Sequence, residues 1–311
     1  MRLRFVSKSK YFIILSAAII LAGLIAGFIY GGLNLGIDFT GGSILTIEMG
    51  EPFDQQDIND ALSLNGINPD TVQIVRGGET GTQAVIRMQQ LPKDTDAMAL
   101  RKSIISSLSV KYPAASAGEI ESVGGVTSSE IVSNAFLSIV LAAVLMMIYI
   151  WIRFELFSGI AGVIALIHDV VVMTAVVCIL RVQINSAYIA ACLTIVGYSI
   201  NDTIVLFDRV RDNNKRFSIK SMTRAQVVDI SIKETLSRTI NTSFTTLITI
   251  LAVYIFGVPS IKDFSLPIIV GLICGTYSSI FIASPIWVAL MRIKYKKEHK
   301  LLTAKTGKSK A

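Results

Sequence analysis

Residues 187–207, AYIAACLTIVGYSINDTIVLF, form a long and mostly apolar run. It is long enough to cross the roughly 30 Å hydrocarbon core of a bilayer, yet its second half carries Asn201 and Asp202. An ionised carboxylate at the centre of a membrane helix costs roughly 2.5–3.5 kcal/mol on insertion scales. The stretch therefore predicts a helical membrane protein in which Asp202 faces a bundle interior or a wet cavity and has a partner there.

The composition extends this prediction to the whole chain. Apolar residues make up 52% of the 311 residues and charged residues only 16%, whereas an ordinary globular domain has about 25% charged residues. The apolar residues lie in runs of spanning length. We therefore predict a polytopic α-helical membrane protein with six transmembrane helices, at Tyr11–Tyr30, Ile131–Ile152, Phe157–Leu180, Ala187–Phe207, Thr239–Phe256 and Leu266–Met291.

The excess of Lys and Arg follows the ends of the predicted spans. It is concentrated in residues 1–10, in the loop after Phe207 and in the tail after Met291. Because positive charge near span ends stays cytoplasmic, both termini are predicted to be cytoplasmic. Basic residues that flank spans, without interleaved aromatic side chains, argue against nucleic acid as a partner.

Neither a cofactor nor a metal is expected from the sequence. The three cysteines, Cys178, Cys192 and Cys274, lie inside apolar runs, which excludes a disulfide framework and a Cys-rich metal site in the polar segment. The chain has no Gly-x-x-x-x-Gly-Lys-Ser/Thr run that would indicate a nucleotide site.

The polar segment between the first two spans has the pattern of a small α/β domain. Strand-like and helical patterns follow in the order β-α-β-β-α-β, which predicts a ferredoxin-like α/β domain. Asp54 is expected to cap its first helix, and Pro92 to open the second. The predicted organisation is an N-terminus with the first span over 1–30, an extracytoplasmic domain over 31–129, a five-helix bundle over 130–291 and a basic tail over 292–311.

Asp202 and Arg238 form a candidate pair on antiparallel spans. Asp202 lies about 9 Å from the end of its span, at 1.5 Å of rise per residue, and the long side chain of Arg238 can extend along its helix. A contact is therefore geometrically possible. Two interpretations stay open: a structural ion pair that sets helix register, or a titratable carboxylate whose proton occupancy controls the pairing.

The other polar residues of the spans also allow two interpretations. Asp169 directly follows His168, so we expect the two side chains to face different neighbours. Either the Asp169 carboxylate is satisfied inside the bundle or it takes part in ion passage. A polar pathway would use Asp169, Asn201, Ser199, Thr242, Thr245 and Thr246, although interhelical hydrogen bonding is the commoner use of such hydroxyls.

Small residues recur every four positions in the sixth span, at Gly271, Gly275 and Ser279. Small residues at this spacing let two helix backbones approach closely. We predict that this row of residues packs against a neighbouring helix.

The motifs of the chain, taken in order, resemble those of the SecD/SecF family of bacterial protein-export membrane proteins, on the SecF side. They run along most of the sequence, which makes the resemblance highly specific. The matching stretches are 36–42 (GIDFTGG), 153–155 (RFE), 168–170 (HDV), 197–205 (GYSINDTIV), 207–211 (FDRVR), 237–243 (SRTINTS) and 275–285 (GTYSSIFIASP).

The resemblance implies an RND-like half-bundle in the bacterial cytoplasmic membrane, with no enzyme activity. Such a subunit would work with SecD and use the proton-motive force to promote late steps of polypeptide export. The proton-relay aspartate of the family maps onto Asp202 and its arginine partner onto Arg238. The implied coupling ion is H⁺, with Na⁺ as the alternative, and the implied partners are SecD, the SecYEG channel, YajC, YidC, the unfolded exported polypeptide and membrane lipid.

Three alternatives stay open. In a passive scaffold that holds SecD to the channel, the Asp202–Arg238 pair would be structural. An intramembrane aspartyl protease using Asp169 and Asp202 is disfavoured, because Arg238 would keep one carboxylate ionised when the dyad needs a shared proton. An RND-type exporter of small molecules or lipids is the closest rival, although one small external domain leaves little room for a drug pocket.

Overall fold

One long helix precedes a short α/β segment, and five more long helices follow it. The computed structural model describes residues 5–77, 81–88, 97–123, 125–217, 222–257 and 259–294. Its elements are α1 (Phe5–Ile29), α2 (Ile37–Thr40), β1 (Gly42–Glu48), α3 (Gln55–Leu64), β2 (Val72–Gly77), β3 (Gln83–Met88), α4 (Ala97–Ser109), β4 (Ser116–Val123), α5 (Gly125–Arg153), α6 (Leu156–Ile179), α7 (Ser186–Arg216), α8 (Arg224–Phe256) and α9 (Pro259–Ser278).

Six of these helices, α1 and α5 to α9, are long and apolar enough to cross a membrane, which confirms the predicted number of spans. The sixth runs through a π-helical turn at Ser279–Ala283 and then continues as a helix to Lys294. Residues 1–34 and 137–311 form one compact unit, and residues 35–136 form a second.

The helices extend beyond the apolar runs that predicted them. The region after Phe207 was expected to be a loop, but α7 continues to Arg216 and α8 already begins at Arg224. A capping box formed by Thr223 and Gln226 starts α8. The prediction of a loop was wrong because hydropathy marks only the part of a helix that lies in lipid, whereas helix propensity and caps set the ends.

Polar contacts hold the two helix extensions together. The Arg209 guanidinium forms an ion pair with Glu234, with Nε and Oε2 2.7 Å apart. The Asn213 side chain, which is buried, donates hydrogen bonds to Ser231 Oγ at 3.0 Å and to Glu234 Oε2 at 2.7 Å. These contacts hold the C-terminal part of α7 against the N-terminal part of α8.

Three helices make up the interior of the membrane unit. In α6, α7 and α9, between half and two-thirds of the residues in the most apolar stretch of the helix are buried, whereas only 6–11% are buried in α1, α5 and α8. One buried apolar cluster of this unit includes Phe207, Ile232 and Trp287. The candidate polar residues of the spans lie mainly on α6 to α9, in and around this interior.

The unit formed by residues 35–136 contains a four-stranded antiparallel sheet with strand order β2-β3-β1-β4. Together with the element order β-α-β-β-α-β, this is the expected ferredoxin-like arrangement. Asp54 caps α3 as predicted, since its Oδ1 accepts a hydrogen bond from Gln56 N at 3.2 Å. The predicted start of the second helix at Pro92 lies outside the described residues.

Two glycines connect α2 to β1 in backbone conformations that favour glycine. Gly41 and Gly42 have φ angles of 70° and 127°, which side chains with a Cβ rarely adopt. They turn the chain from α2 into β1, whose Leu45 and Ile47 then enter the core between the sheet and helices α3 and α4.

Candidate functional site

Asp202 lies in the interior of the membrane unit and accepts a hydrogen bond from a neighbouring helix. The residue is 7% exposed, and its Oδ2 accepts a hydrogen bond from Ser243 Oγ of α8 at 3.3 Å. Thr276 Oγ1 of α9 lies 2.8 Å from Ser243 Oγ and 2.7 Å from the Leu272 carbonyl oxygen, and these two acceptors share its one proton. The Asp202 carboxyl group therefore ends a short chain of hydroxyl groups that joins α7, α8 and α9.

Arg238 is near this carboxyl group without touching it. Among the ion pairs within 4.0 Å formed by the described residues, none joins Asp202 to Arg238, although the positive charge of Arg238 acts on the carboxyl group. Arg238 precedes Ser243 by about 7.5 Å of helix rise, and Ser243 is the residue level with Asp202. The contact that Asp202 makes with α8 is through Ser243, and the pairing of Asp202 with Arg238 stays a prediction.

Asp169 forms a second and more tightly held centre. The residue is 1% exposed. Its Oδ2 accepts hydrogen bonds from Ser199 Oγ of α7 at 2.6 Å and from Ser278 Oγ of α9 at 2.8 Å. Its Oδ1 lies 3.0 Å from His168 Nδ1 and accepts a hydrogen bond from Cys274 Sγ at 3.3 Å. One carboxyl group thus joins α6, α7 and α9.

The expectation that His168 and Asp169 face different neighbours is wrong. The two side chains contact each other, and both approach Cys274, whose Sγ lies 4.0 Å from His168 Nδ1. Successive side chains of a helix diverge by about 100°, but the imidazole is long enough to fold back toward the adjacent carboxylate.

Tyr277 extends this second centre to α1. Its hydroxyl shares a hydrogen bond of 2.9 Å with Ser16 Oγ and lies 3.4 Å from Cys274 Sγ. Its ring meets the His168 ring edge-on, with centroids 5.8 Å apart. Sequence reasoning missed Ser16, Cys274, Tyr277 and Ser278. The spacing of Cys274, Tyr277 and Ser278, at i, i+3 and i+4, was the available signal, because it places polar groups on one face of a helix.

Among the described residues, no hydrogen bond joins the other predicted pathway residues to either carboxyl group. Thr245 and Thr246 donate hydrogen bonds to carbonyl groups of their own helix, Thr242 provides one of those carbonyls, and Asn201 is exposed. Of the predicted set, the structure brings Ser199 together with Asp169. The role of these residues in ion passage stays a prediction.

The row of small residues in α9 lies against α7. A Cβ atom added to Gly271 would be 2.6 Å from Ile195 Cγ1, and one added to Gly275 would be 3.0 Å from Ser199 Cβ. Ser279 is also buried. The close approach at Gly275 is what brings Ser199 of α7 to the same carboxyl group as Ser278 of α9.

Three side chains of the second centre also have metal-ligating groups. Ligand atoms of His168, Asp169 and Cys274 lie within 4.8 Å of one another. A structural zinc ion takes four protein ligands, with deprotonated thiolates. Here the described residues bring three such groups together, and the Cys274 thiol is a hydrogen-bond donor to Asp169. We assign no metal to these residues.

Comparison with known proteins agrees with the motifs. The family model described as "Protein export membrane protein SecD/SecF, C-terminal" matches residues 104–293, and that of the SecD/SecF GG motif matches residues 31–52. The chain is 33% identical to the protein translocase subunit SecF of Sebaldella termitidis, over 94% of both chains. It is 36% identical to the protein translocase subunit SecDF of Bacillus subtilis, over 94% of this chain but only 39% of that protein.

A solved structure supports the same conclusion. The chain resembles the crystal structure of SecDF from Thermus thermophilus, a translocon-associated membrane protein, with a TM-score of 0.82 and 30% identity. The match covers 94% of this chain and 39% of that one, and it confirms the expected RND-like half-bundle. By its sequence motifs, its six spans and its likeness to these proteins, the chain belongs to the SecD/SecF family of protein-export membrane proteins.

Proposed function

We propose that this chain is a subunit of the Sec protein-export machinery that works with SecD and draws on the proton-motive force. The observation that carries the proposal is the position of Asp202, a buried carboxyl group in a membrane span of a SecD/SecF family member. The SecDF protein of Bacillus subtilis, to which 94% of the chain aligns, supports SecD as the partner. SecYEG, YajC and YidC are further expected partners.

The distribution of positive charge supports a location in the bacterial cytoplasmic membrane. The basic residues lie before α1, in and around the α7–α8 hairpin, and after Met291, and basic span ends stay on the cytoplasmic side. Both termini are then cytoplasmic, and the unit of residues 35–136 lies on the outer side, where it can meet an unfolded polypeptide as it leaves the channel.

In the proposed mechanism, Asp202 is the proton carrier. Within the described part of the chain it accepts one hydrogen bond, from Ser243 at 3.3 Å, which leaves acceptor positions for a proton. Protonation removes the negative charge that attracts Arg238, and the resulting hydroxyl group can itself donate a hydrogen bond. Release of the proton to the cytoplasmic side restores the charge. One charge that crosses the membrane gains about 2.3 kcal/mol per 100 mV, which is enough to bias two conformations of α7 and α8.

The hydrogen bonds of Asp169 argue against the aspartyl-protease alternative. Such a dyad needs two carboxyl groups that share one proton. Asp169 is instead bonded to residues of α6, α7 and α9, while Asp202 is bonded to Ser243 of α8. The two carboxyl groups have separate partners.

Replacement of Asp202 by asparagine tests the proposal. The amide side chain keeps an acceptor oxygen for Ser243 but cannot gain or lose a proton. We expect Asp202→Asn to abolish the part of export that depends on the gradient, measured as stimulation of polypeptide translocation in energised vesicles that contain the chain, SecD and the channel. Asp212→Asn, at an exposed residue of the same helix, is the matched control.

Normal gradient-dependent export by Asp202→Asn would contradict the proton-carrier role and leave the scaffold interpretation. Loss of stimulation when only a sodium gradient is removed would instead assign Na⁺ as the coupling ion. Exchange of the two charges, in a variant with Asp202→Arg and Arg238→Asp, separates a structural pair from a proton carrier, because only a structural pair can function in either orientation.

A further inference from the structure

The second buried carboxyl group, that of Asp169, has no task in the proposed proton transfer although it is held by more partners than Asp202. We propose that Asp169 is a permanently ionised anchor and that Asp169 and Tyr277 are positioning residues, which make the position of α1 depend on the state of Asp202. The inference rests on the proposed function for the role of Asp202. The fixed charge of Asp169 and the link to α1 go beyond the proposed function.

The hydrogen bonds around Asp169 leave no place for a carboxyl proton. A carboxylate has about four positions for donors. Two of them receive Ser199 and Ser278, and the other two face His168 Nδ1 and the Cys274 thiol. All four neighbours can donate, so the ionised form satisfies every one of them, whereas a protonated carboxyl group would displace one.

The titratable groups around Asp169 lie on two helices. The titratable side chains that contact Asp169 or its partners are His168 on its own helix and Cys274 and Tyr277 on α9. Of these, only His168 can become a cation, and it faces Asp169 at ion-pair distance, 3.0 Å. The facing residue of α7, Ser199, is an uncharged donor.

The segment Cys274–Ser278 of α9 connects the two carboxyl groups. Cys274 and Ser278, one turn apart on the same face, hydrogen-bond to Asp169. Between them, Thr276 Oγ1 lies 2.8 Å from Ser243 Oγ and 2.7 Å from its own helix's Leu272 carbonyl oxygen, and Ser243 donates to Asp202. Both carboxyl groups therefore act on the same short stretch of α9.

Tyr277 then joins this stretch of α9 to α1. Its hydroxyl bonds to Ser16, and Phe12 of α1 stacks on both Tyr277 and Phe281, with centroid distances of 5.8 and 3.8 Å. Further along α1, a Cβ atom on Gly23 would be 2.5 Å from Ala175 Cβ. These contacts fix α1 to α9 and α6, and the chain continues from α1 into residues 35–136.

Through these contacts, a change in the protonation of Asp202 changes the position of α1. When Asp202 takes up a proton, Ser243 no longer faces an anion and can direct its own proton to another acceptor. This alters the bond that Thr276 makes to Ser243. Because Asp169 keeps its charge in both states, Cys274 and Ser278 stay bound to it, and the adjustment of α9 is passed through Tyr277 to Ser16.

Infrared difference spectroscopy tests the fixed charge. The complex of this chain with SecD, in vesicles, is compared before and after a pH gradient is applied. We expect a protonated-carboxyl band that is lost in Asp202→Asn and kept in Asp169→Asn and in Ser278→Ala. A protonated-carboxyl band that is lost in Asp169→Asn would overturn the proposal.

The stability of Asp169→Asn gives a second test. A neutral Asp169 would be mimicked by an asparagine, whose amide group can donate to His168 Nδ1. An ionised Asp169 would not be mimicked by asparagine, because the NH₂ group of the amide would then face hydrogen-bond donors. Native thermal stability together with native export in Asp169→Asn would therefore refute the fixed charge. If Asp169→Asn does not fold, Ser278→Ala still permits the infrared comparison.

Replacement of Tyr277 by phenylalanine tests the link to α1. Tyr277→Phe keeps the ring that stacks on Phe12 and removes the hydroxyl that bonds to Ser16. We expect gradient-dependent export to fall roughly three- to tenfold, while the infrared signal of Asp202 is unchanged. Tyr198→Phe, on the exposed face of α7, should export like the native chain.

Equal export by Tyr277→Phe and Tyr198→Phe would refute the link to α1. Loss of the Asp202 infrared signal in Tyr277→Phe would also refute it, since Tyr277 would then control proton uptake itself. If Asp202→Asn exports normally, the proposed function fails, and the infrared result for Asp169 still decides whether its charge is fixed.

Discussion

Two aspartates of the same membrane unit differ in the number of donors that surround them. Among the residues that the structure describes, Asp169 has four neighbours that can donate, whereas Asp202 accepts one hydrogen bond, from Ser243. A carboxyl group surrounded by donors is kept ionised, and one with open acceptor positions can accept a proton. In the proposed mechanism, the number of donors distinguishes Asp169 as the anchor from Asp202 as the carrier.

A residue-scale prediction concerns Asp57 in the unit of residues 35–136. Lys111 Nζ lies 2.6 Å from its Oδ1, and the Tyr112 hydroxyl donates to its Oδ2 at 2.6 Å. The hydrogen bond from Lys111, followed by that from Tyr112, lowers the pKa of Asp57 below its usual value of 3.8. A lowered pKa in the folded state stabilises the fold above pH 3.8, and this stabilisation is lost as the pH falls further.

We therefore expect the amides of α3 to lose protection from hydrogen exchange on acidification from about pH 5 to below 3.8. Asp57→Asn should show less of this dependence because it has no proton to gain. Asp60→Asn, on the same helix, is the matched control. The same loss in Asp57→Asn and in the native chain would contradict the assignment.

The sequence predicted only part of the candidate site, for a physical reason that operates at the residue scale. Asp202 and Asp169 were found because a carboxyl group in an apolar run is costly and therefore conspicuous. Ser16, Tyr277 and Ser278 were missed because a hydroxyl group in a span is ordinary, and its partner depends on how the helices are rotated. The direct contact of Asp202 with Ser243, rather than with Arg238, depends on the same rotation.

At the scale of elements, the contact between α7 and α9 determines whether the site can form. A Cβ atom at Gly271 of α9 would overlap Ile195 of α7, and one at Gly275 would press tightly on Ser199. The four-residue spacing of small residues predicted such packing. The helix that they face could not be predicted, because the spacing does not specify the partner.

We expect Gly271→Ala to destabilise the membrane unit by about 1–3 kcal/mol, because its new Cβ atom would overpack Ile195. Gly197→Ala is the matched control on α7, since a Cβ atom at Gly197 meets no atom within 4 Å. It should be neutral or stabilising by up to about 1 kcal/mol, because Ala favours a helix over Gly. Unfolding in detergent micelles measures both. Equal stability of the two variants would contradict the close packing.

At the scale of the whole molecule, the chain consists of two units with separate cores. The core of residues 35–136 contains Leu45, Ile58, Leu62, Ile86 and Ile104, whereas that of the membrane unit centres on α6, α7 and α9. The two patterns of hydrophobicity predicted this division well. Long apolar runs indicate spans, and short alternating runs indicate a half-buried sheet.

Separate cores predict separate responses to mutation. Leu62→Ala, at a residue that is 0% exposed, should destabilise the unit of residues 35–136 by about 2–5 kcal/mol. Leu64→Ala, at a residue of the same helix that is 79% exposed, should change it by less than about 0.5 kcal/mol. Hydrogen exchange at β1 and β3 measures this effect. Loss of protection in α9 caused by Leu62→Ala would show that the two cores are coupled.

The π-helical turn at Ser279–Ala283 has a consequence for how this part of the chain tolerates insertions and deletions. A widened turn accommodates one extra residue, and each residue added or removed rotates the downstream part of the helix by about 100°. Deletion of one residue here would swing Trp287 and Met291 out of the buried cluster while leaving the upstream polar groups in place. The length of this turn is therefore more constrained than its composition, and single-residue deletions should be far less tolerated than substitutions.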